Sequence, residues 1–267
     1  MTTLYLTEDR AFVRKQGRTL VVQRTGDDER TRVPLERVTE VVCCGDVSFS
    51  GAALRELCED GISVSYIGPR YEWVGRWEPR ESKTIPLRRA QFRAADDPAA
   101  ALAIARPIVA GKIRNCRALL GRARREGAAV ADTDLESLAR LRARAPHATT
   151  LDEVRGLEGE AAARYFPAYG QIVSVNGFNF ERRTRRPPSD PINAMLSFGY
   201  ALLPGAAATA VRTVGFDAHL GFLHAERYGR ESLALDIMEE FRPIVVDALV
   251  VALVRLKMLT PRDFEQS

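Results

Sequence analysis

Over roughly the first 75 residues the apolar positions fall in short runs of β-branched and aromatic residues broken by Gly and Asp. The runs are TLYL, FVRKQGRTLVVQR, VTEVVCCG, ISVSYIG and YEWVGRW. This pattern predicts strands, gathered in one small sheet with a single helix over GAALRELCED that stops at CEDG. From about residue 86 the pattern changes to Ala, Leu and Arg at helical spacing, with few strand signals. RWEPRESKTIP has two prolines and no apolar period, and reads as the connection. The expected class is α+β: an N-terminal β-rich domain over 1–78, a linker over 79–86, and a larger all-α domain over 87–267.

Two helix starts are well marked. Thr150 followed by Glu153 has the spacing of a capping box, which predicts one helix over LDEVRGLEGEAAARYF. Asp190 before Pro191 is an N-cap followed by proline at the first helical position, which starts INAMLSFGYALL. Gly159 sits inside the first of these at a cost of roughly 1 kcal/mol against alanine. Residues 233–251, LALDIMEEFRPIVVDALVV, are apolar enough for a buried helix yet carry Asp236, Glu239 and Glu240. Desolvating a carboxylate costs several kcal/mol without compensation, so these acids either face water or meet a positive group. Pro243 has no amide for the carbonyl of Glu239, which predicts a bend or a helix restart there.

Several residues in the helical half have chemistry to offer. Glu158 shares a helix face with Ala162 and Tyr165, and taken alone it is a solvated carboxylate. His147 lies in a polar loop beside proline, at the surface, whereas His219 and His224 bracket the apolar stretch HLGFLH, which leaves at least one imidazole partly buried. Asp236 pairs with Glu239 at i, i+3 and with Glu240 at i, i+4, so any pair can be presented to one side. Singly, each has an ordinary structural explanation. Together, a Glu, a His and a Glu or Asp on separate apolar helices form the mixed oxygen and nitrogen shell that suits manganese or magnesium, Mn2+ or Mg2+.

Charge adds a phosphate partner to this picture. The 267 residues hold 39 Lys and Arg against 35 Asp and Glu, a formal net charge of +4, and the basic residues cluster. One run holds Lys112, Arg114, Arg117, Arg122, Arg124 and Arg125 with no acid between them; another, RRTRR, holds Arg182, Arg183, Arg185 and Arg186; PLRRAQFR adds Arg88, Arg89 and Arg93. Such runs release counterions from a nucleic-acid backbone, and a hard metal can hold a scissile phosphate oxygen. No zinc-finger spacing or RRM signature is present, so backbone and shape are expected to lead nucleic-acid binding. Of these, Arg88, Arg93, Lys112, Arg182, Arg183, Arg185 and Arg186 are the expected DNA contacts.

The remaining composition places the chain. Cys43, Cys44, Cys58 and Cys116 lack metal or redox spacing and read as free thiols of a reducing compartment. No charged-then-apolar leader opens the chain. The longest apolar run, around 244–254, is interrupted by Asp247 and falls short of the ~20 residues of a membrane span. A soluble, cytoplasmic protein with no membrane partner is expected.

RGLEGEAAARYF, RRPPSDPINAMLSFGYALL, GFDAHLGFLH and SLALDIMEEFRPIVVDAL, in that order and at these intervals, closely resemble the CRISPR-associated integrase of spacer acquisition, the first-numbered and most widespread Cas protein. The resemblance spans nearly the whole chain. It implies metal ligands and catalytic residues at Glu158, His224 and Glu239, with Asp236 as a supporting carboxylate and Asn193 and Arg242 supporting the site; His219 matches no ligand position. It further implies homodimers bridged by a small second Cas protein, which insert short foreign DNA fragments into the CRISPR repeat by attack of a 3′ hydroxyl on a phosphodiester. Isolated members resemble metal-dependent nucleases on double-stranded or branched DNA. The chain stops at PRDFEQS, where family members run on for several dozen residues, as a short form or a piece of a longer product would. The competing readings are a non-catalytic DNA-binding scaffold and a general metal-dependent nuclease.

Overall fold

The computed structural model describes residues 2–7, 10–24, 26, 29–67, 73–77, 85–185 and 187–264. The chain divides into two compact units, 1–83 and 84–267. Among the described residues of the first, eight strands form two four-stranded sheets, where one small sheet was expected. One sheet has the order β1 (Thr2–Leu6), β5 (Val38–Cys43), β7 (Ser63–Ile67), β8 (Trp73–Trp77), parallel except for the last pair. The other has the order β4 (Arg30–Pro34), β3 (Thr19–Arg24), β2 (Ala11–Gln16), β6 (Val47–Phe49). A two-residue turn joins β2 to β3, and Gly17 takes φ +60° there, a conformation that costs glycine little. Helix α1 (Gly51–Glu59), capped by Ser50, contributes Ala53 and Leu57 to a core shared with Val13, Leu20, Val41 and Val64. Strands β4 and β6 escape the sequence pattern because one is a largely exposed edge and the other has three residues; both owe their extension to a neighbour's backbone.

The second unit is helical. Ile85 and Pro86, expected to close the linker, instead open α2 (Ile85–Asp96), since proline in the first turn of a helix loses no intrahelical bond. The rest of the expected linker, 79–84, lies outside the described residues. The long helix α3 (Pro98–Arg125) lies against α4 (Asp132–Arg144), α5 (Leu151–Val173) and α7 (Ser232–Phe241). Its residues Val109, Ile113, Cys116 and Leu120 sit in the main core with Leu138, Leu157 and Tyr165. Thr150 and Asp190 cap α5 and α6 (Pro191–Val214) through the amides of Glu153 and Asn193. Both helices run through a proline, Pro167 and Pro204, where the sequence pattern suggested an end. Tyr169, Ile172 and Val173 beyond the first, and Ala208 and Val211 beyond the second, are buried; their burial offsets the ~3 kcal/mol of an interior proline.

By length and composition α6 is long and apolar enough to cross a membrane over Pro191–Arg212, a test that the core helix of a soluble protein also passes. Here it lends Ile192 and Leu196 to one core and Ala207, Ala208 and Val211 to another. Past α7 the missing Pro243 amide widens the helix into a π-helical turn over Arg242–Asp247, and α8 (Ala248–Arg255) continues from it. Gly199 of α6 meets this turn: an added Cβ would stand 2.5 Å from Val246 Cγ1. Val246 is β-branched and buried, so it has little rotamer freedom. Gly199→Ala is expected to destabilise the protein by about 1–3 kcal/mol, despite alanine's better helix propensity, read as a lower denaturation midpoint.

Candidate functional site

The acids of α7 are turned inward. Asp236 is fully buried and accepts the amides of Phe222 (2.6 Å), Leu223 (2.9 Å) and His224 (2.9 Å). Its Oδ1 also lies 2.7 Å from His224 Nδ1. An ionised carboxylate only accepts, so in the neutral imidazole Nδ1 carries the proton and Nε2 keeps its lone pair. That nitrogen lies 4.0 Å from Glu239 Oε1. The same turn is gripped from its other side by Arg155 of α5, whose Nε and Nη2 donate to the carbonyl of Leu223 at 2.9 and 2.7 Å. Gly221 leaves room for this arrangement, because a Cβ there would approach Asp236 Oδ2 and the Ser232 carbonyl carbon to 2.8 Å.

One turn further along α7, Glu239 is 1% exposed. Its compensating charges are Lys112 of α3, with Nζ 2.6 Å from Oε2, and Arg242, with Nη1 3.0 Å from Oε1. Lys112 also donates to Glu158 Oε1 of α5 at 2.5 Å. Glu158 and Glu239 therefore share one ammonium from a third helix. Although Oε2 of Glu239 is ion-paired, it accepts no aligned hydrogen bond. Burial alone would push the Lys112 ammonium down; the charges of Glu239 and Glu158 more than offset that and hold it above the usual lysine range. Burial likewise raises Glu158, and Lys112 overcomes it, leaving the carboxylate below its ordinary value. The neighbouring Glu240 lies against Gly111, where a Cβ would collide with its carboxylate, and its carbonyl accepts from Asn115 at 2.8 Å.

Among the described residues, no three His, Cys, Asp or Glu side chains are close enough to chelate an ion as they stand; the Lys112 ammonium contacts both carboxylates. The donor types nonetheless fit a hard divalent cation: two carboxylates already drawn to one cationic centre and an imidazole lone pair fixed by a carboxylate behind it.

Lys112 and Glu158 line a cavity of about 250 Å³ that also takes in Arg183, Arg185, Tyr200, Arg242 and Asp247. Asp247 is buried and was passed over in the sequence except as an interruption. It accepts Tyr165 OH at 2.7 Å and Tyr200 OH at 2.5 Å, and its backbone carbonyl accepts Tyr169 OH at 3.1 Å. Burial pushes its carboxyl up to about 6, the two tyrosine hydroxyls opposing the rise. The one signal available in sequence was Tyr165 on the Glu158 face.

The expected DNA contacts divide. Lys112 is buried in the ion pair rather than displayed on the basic run. Arg183 is half-buried and bonds Asn193 Oδ1 (2.8 Å) and Ser197 Oγ (3.1 Å). Asn193, fully buried, also takes the Thr184 amide and donates to the Arg182 carbonyl, so it shapes the arginine loop. Arg182 and Arg185 are exposed, as are Arg88, Arg89 and Arg93 on α2; Arg186 lies outside the described residues. Further along α3, Arg122 pairs with Glu126 and Arg124 with Asp132, about 15 Å or more beyond Lys112 at 1.5 Å per residue. His219 is exposed, with Nδ1 3.2 Å from the Arg230 carbonyl, and His147 is exposed. The four cysteines are free, Cys43 and Cys116 buried.

Residues 4–267 match the family model of CRISPR associated protein Cas1. The chain belongs to the Cas1 family. It is 37% identical over 265 residues to CRISPR-associated endonuclease Cas1 3 of Thermus thermophilus, covering 99% of this chain and 77% of the relative. Its fold is similar to a CAS1 protein from Thermotoga maritima, with TM-score 0.77, 27% identity, and coverage of 100% of this chain and 83% of the other. It is similar to the same degree, TM-score 0.77 and 27% identity, to a chain of a partial Cas6-RT-Cas1–Cas2 complex, covering all of this chain and 80% of that one. The α+β arrangement expected from the sequence is that of Cas1 structures.

Two outcomes follow from the geometry. Asp236→Asn cannot serve the same four donors, so amide hydrogen exchange at residues 222–224 should accelerate while that of α4 is unchanged. For Asp247 the folded value lies above the unfolded one, so the folded state binds the extra proton between about 4 and 6. Its contribution therefore lowers stability as pH rises through that window, by on the order of 3 kcal/mol. Asp247→Asn should flatten this part of the pH dependence of stability relative to the parent.

Proposed function

We propose that this Cas1-family protein is a metal-dependent integrase and endonuclease that joins short DNA fragments to a CRISPR repeat. The observation that carries the reading is the meeting of Glu158 and Glu239 at one cationic centre, with His224 beside it, at the edge of an arginine-lined cavity. In the reaction, the 3′ oxygen of the incoming strand attacks a repeat phosphorus. The attacking hydroxyl gives up its proton to solvent, a new P–O bond forms as the repeat's P–O3′ bond breaks, and the departing 3′ oxygen takes up a proton. With water as the attacking group, the same displacement is endonucleolytic cleavage.

Glu158, His224 and Glu239 would hold a divalent cation, Mn2+ or Mg2+. When bound, such an ion supplies Lewis-acid polarisation of a phosphoryl oxygen and a lower pKa for an attacking hydroxyl. The chain's own residues do the positioning. Asp236 and Arg155 clamp the turn that carries His224, so its Nε2 is oriented before substrate arrives. Arg242 balances Glu239 from the side opposite Lys112, and Arg183, held by Asn193 and Ser197, lines the cavity where backbone phosphates would lie. Arg182, Arg185, Arg88 and Arg93 are exposed for nonspecific backbone contact. The proposed partners are double-stranded or branched DNA, a second copy of this chain and a small second Cas protein, in the cytoplasm; a Cas1–Cas2 complex among the similar structures supports the last.

Strand transfer tests the reading: a labelled duplex with free 3′ hydroxyls, a plasmid carrying the repeat, the second Cas protein and Mn2+ or Mg2+. The parent should give joined product, and Glu158→Ala, His224→Ala and Glu239→Ala should each abolish it while DNA binding persists. Cleavage without joining would point to a general nuclease. A parent that binds DNA but never cuts or joins it would leave the scaffold reading.

A further inference from the structure

We propose that Lys112 is an internal stand-in for the divalent metal: it holds Glu158 and Glu239 together in the metal-free protein and competes with the ion for them. This inference rests on the metal reading above. The chain contains four lysines, Lys15, Lys83, Lys112 and Lys257, among 39 basic residues, so arginine is the general choice and lysine the exception. At this position the difference is physical. An ammonium is a compact point charge, whereas a guanidinium is a planar fork that spreads its charge. Only the former resembles a small hard cation.

The surroundings match that role. Lys112 Nζ lies 2.5 Å from Glu158 Oε1 and 2.6 Å from Glu239 Oε2, with side-chain exposures of 11%, 23% and 1% for the three residues. The carboxylates come from α5 and α7, and α3 brings the ammonium between them. Without a cation, the buried carboxylate of Glu239 and the partly buried one of Glu158 would repel across a poorly screened gap. An ion taken up by both carboxylates would stand within a few ångströms of Nζ and repel it. Lys112 has somewhere to go, since it borders the cavity of about 250 Å³ that Arg183, Arg185 and Arg242 also line. Displaced there on its flexible stem, the ammonium would join those arginines facing a phosphate. Lys112 thus keeps the site folded without metal, weakens metal affinity, and adds a cation to the cavity when metal enters.

The test is Mn2+ binding to the full chain, followed by the EPR signal of free Mn2+, for the parent and for Lys112→Met. Removing the competing charge should tighten binding at least tenfold, the scale expected when a like charge a few ångströms away is deleted. Lys112→Met should also melt lower than the parent in EDTA and recover more on adding Mn2+. Equal or weaker Mn2+ binding by the variant overturns the inference. A second measurement needs no substitution at the site. The ammonium NMR signal of Lys112, assigned by elimination with arginine variants of Lys15, Lys83 and Lys257, should shift as Mg2+ saturates the parent; a signal that stays in place overturns the inference even if Lys112→Met does not fold. If neither parent nor variant binds Mn2+, the metal reading itself fails, an outcome distinct from parent and variant binding alike.

Discussion

Two carboxylates on different helices, one of them almost fully buried, can coexist only if a cation stands between them. In this chain the cation is the Lys112 ammonium. A buried pair of this kind adds little net stability against an apolar replacement, yet breaking it by removing one partner costs roughly 3–5 kcal/mol. Its consequence is geometric: α3, α5 and α7 are tied at one point, and the side chains that meet there bear the chemistry of the helical unit. Gly111, by lacking a Cβ, lets Glu240 lie close to α3 at the same level, so the ion pair and the helix contact depend on each other.

The histidine is held by a second layer of the same logic. Asp236 is satisfied by three successive amides and an imidazole. Charge-assisted hydrogen bonds of this type contribute more than neutral ones, which explains how an acid can be fully buried in an apolar helix. Arg155 lies three residues before Glu158 on α5 and grips the same turn. One helix therefore positions both a carboxylate and the imidazole's support. Behind them, Asp247 anchors three tyrosine hydroxyls, and its place in the widened turn after Pro243 follows from a missing backbone amide.

The basic residues show why charge counts alone mislead. Lys112 and Arg183 belong to runs that looked uniform in sequence, yet one neutralises buried acids and the other braces a loop through Asn193 and Ser197. Arg122 and Arg124, in the same run as Lys112, pair with acids of their own neighbourhood. Arg182, Arg185 and Arg93 are exposed and suited to a polyanion, as is Arg88, although its Nε donates to the Gly215 carbonyl at 3.2 Å. On α3 the helical turn decides which basic side chains face the neighbouring helices; in the non-helical segment 182–185 the hydrogen bonds from Arg183 to Asn193 and Ser197 decide it.

Much of the fold was legible locally. The strand runs, the helix over GAALRELCED, the Thr150 and Asp190 caps and the disturbance at Pro243 are written in short-range chemistry, where a residue's own backbone preferences decide. The edge strands β4 and β6, and the passage of α5 and α6 through prolines, were not legible, because neighbouring backbone and buried surface far along the chain supply the missing stabilisation. For the site, the sequence by itself determined which acids and histidine were available and that acids in an apolar helix needed a partner. Only the tertiary structure decided which partner: Lys112, 46 residues from Glu158, and the Phe222–His224 amides for Asp236. Electrostatic compensation acts through space at a few ångströms, and packing alone sets which distant side chains come that close.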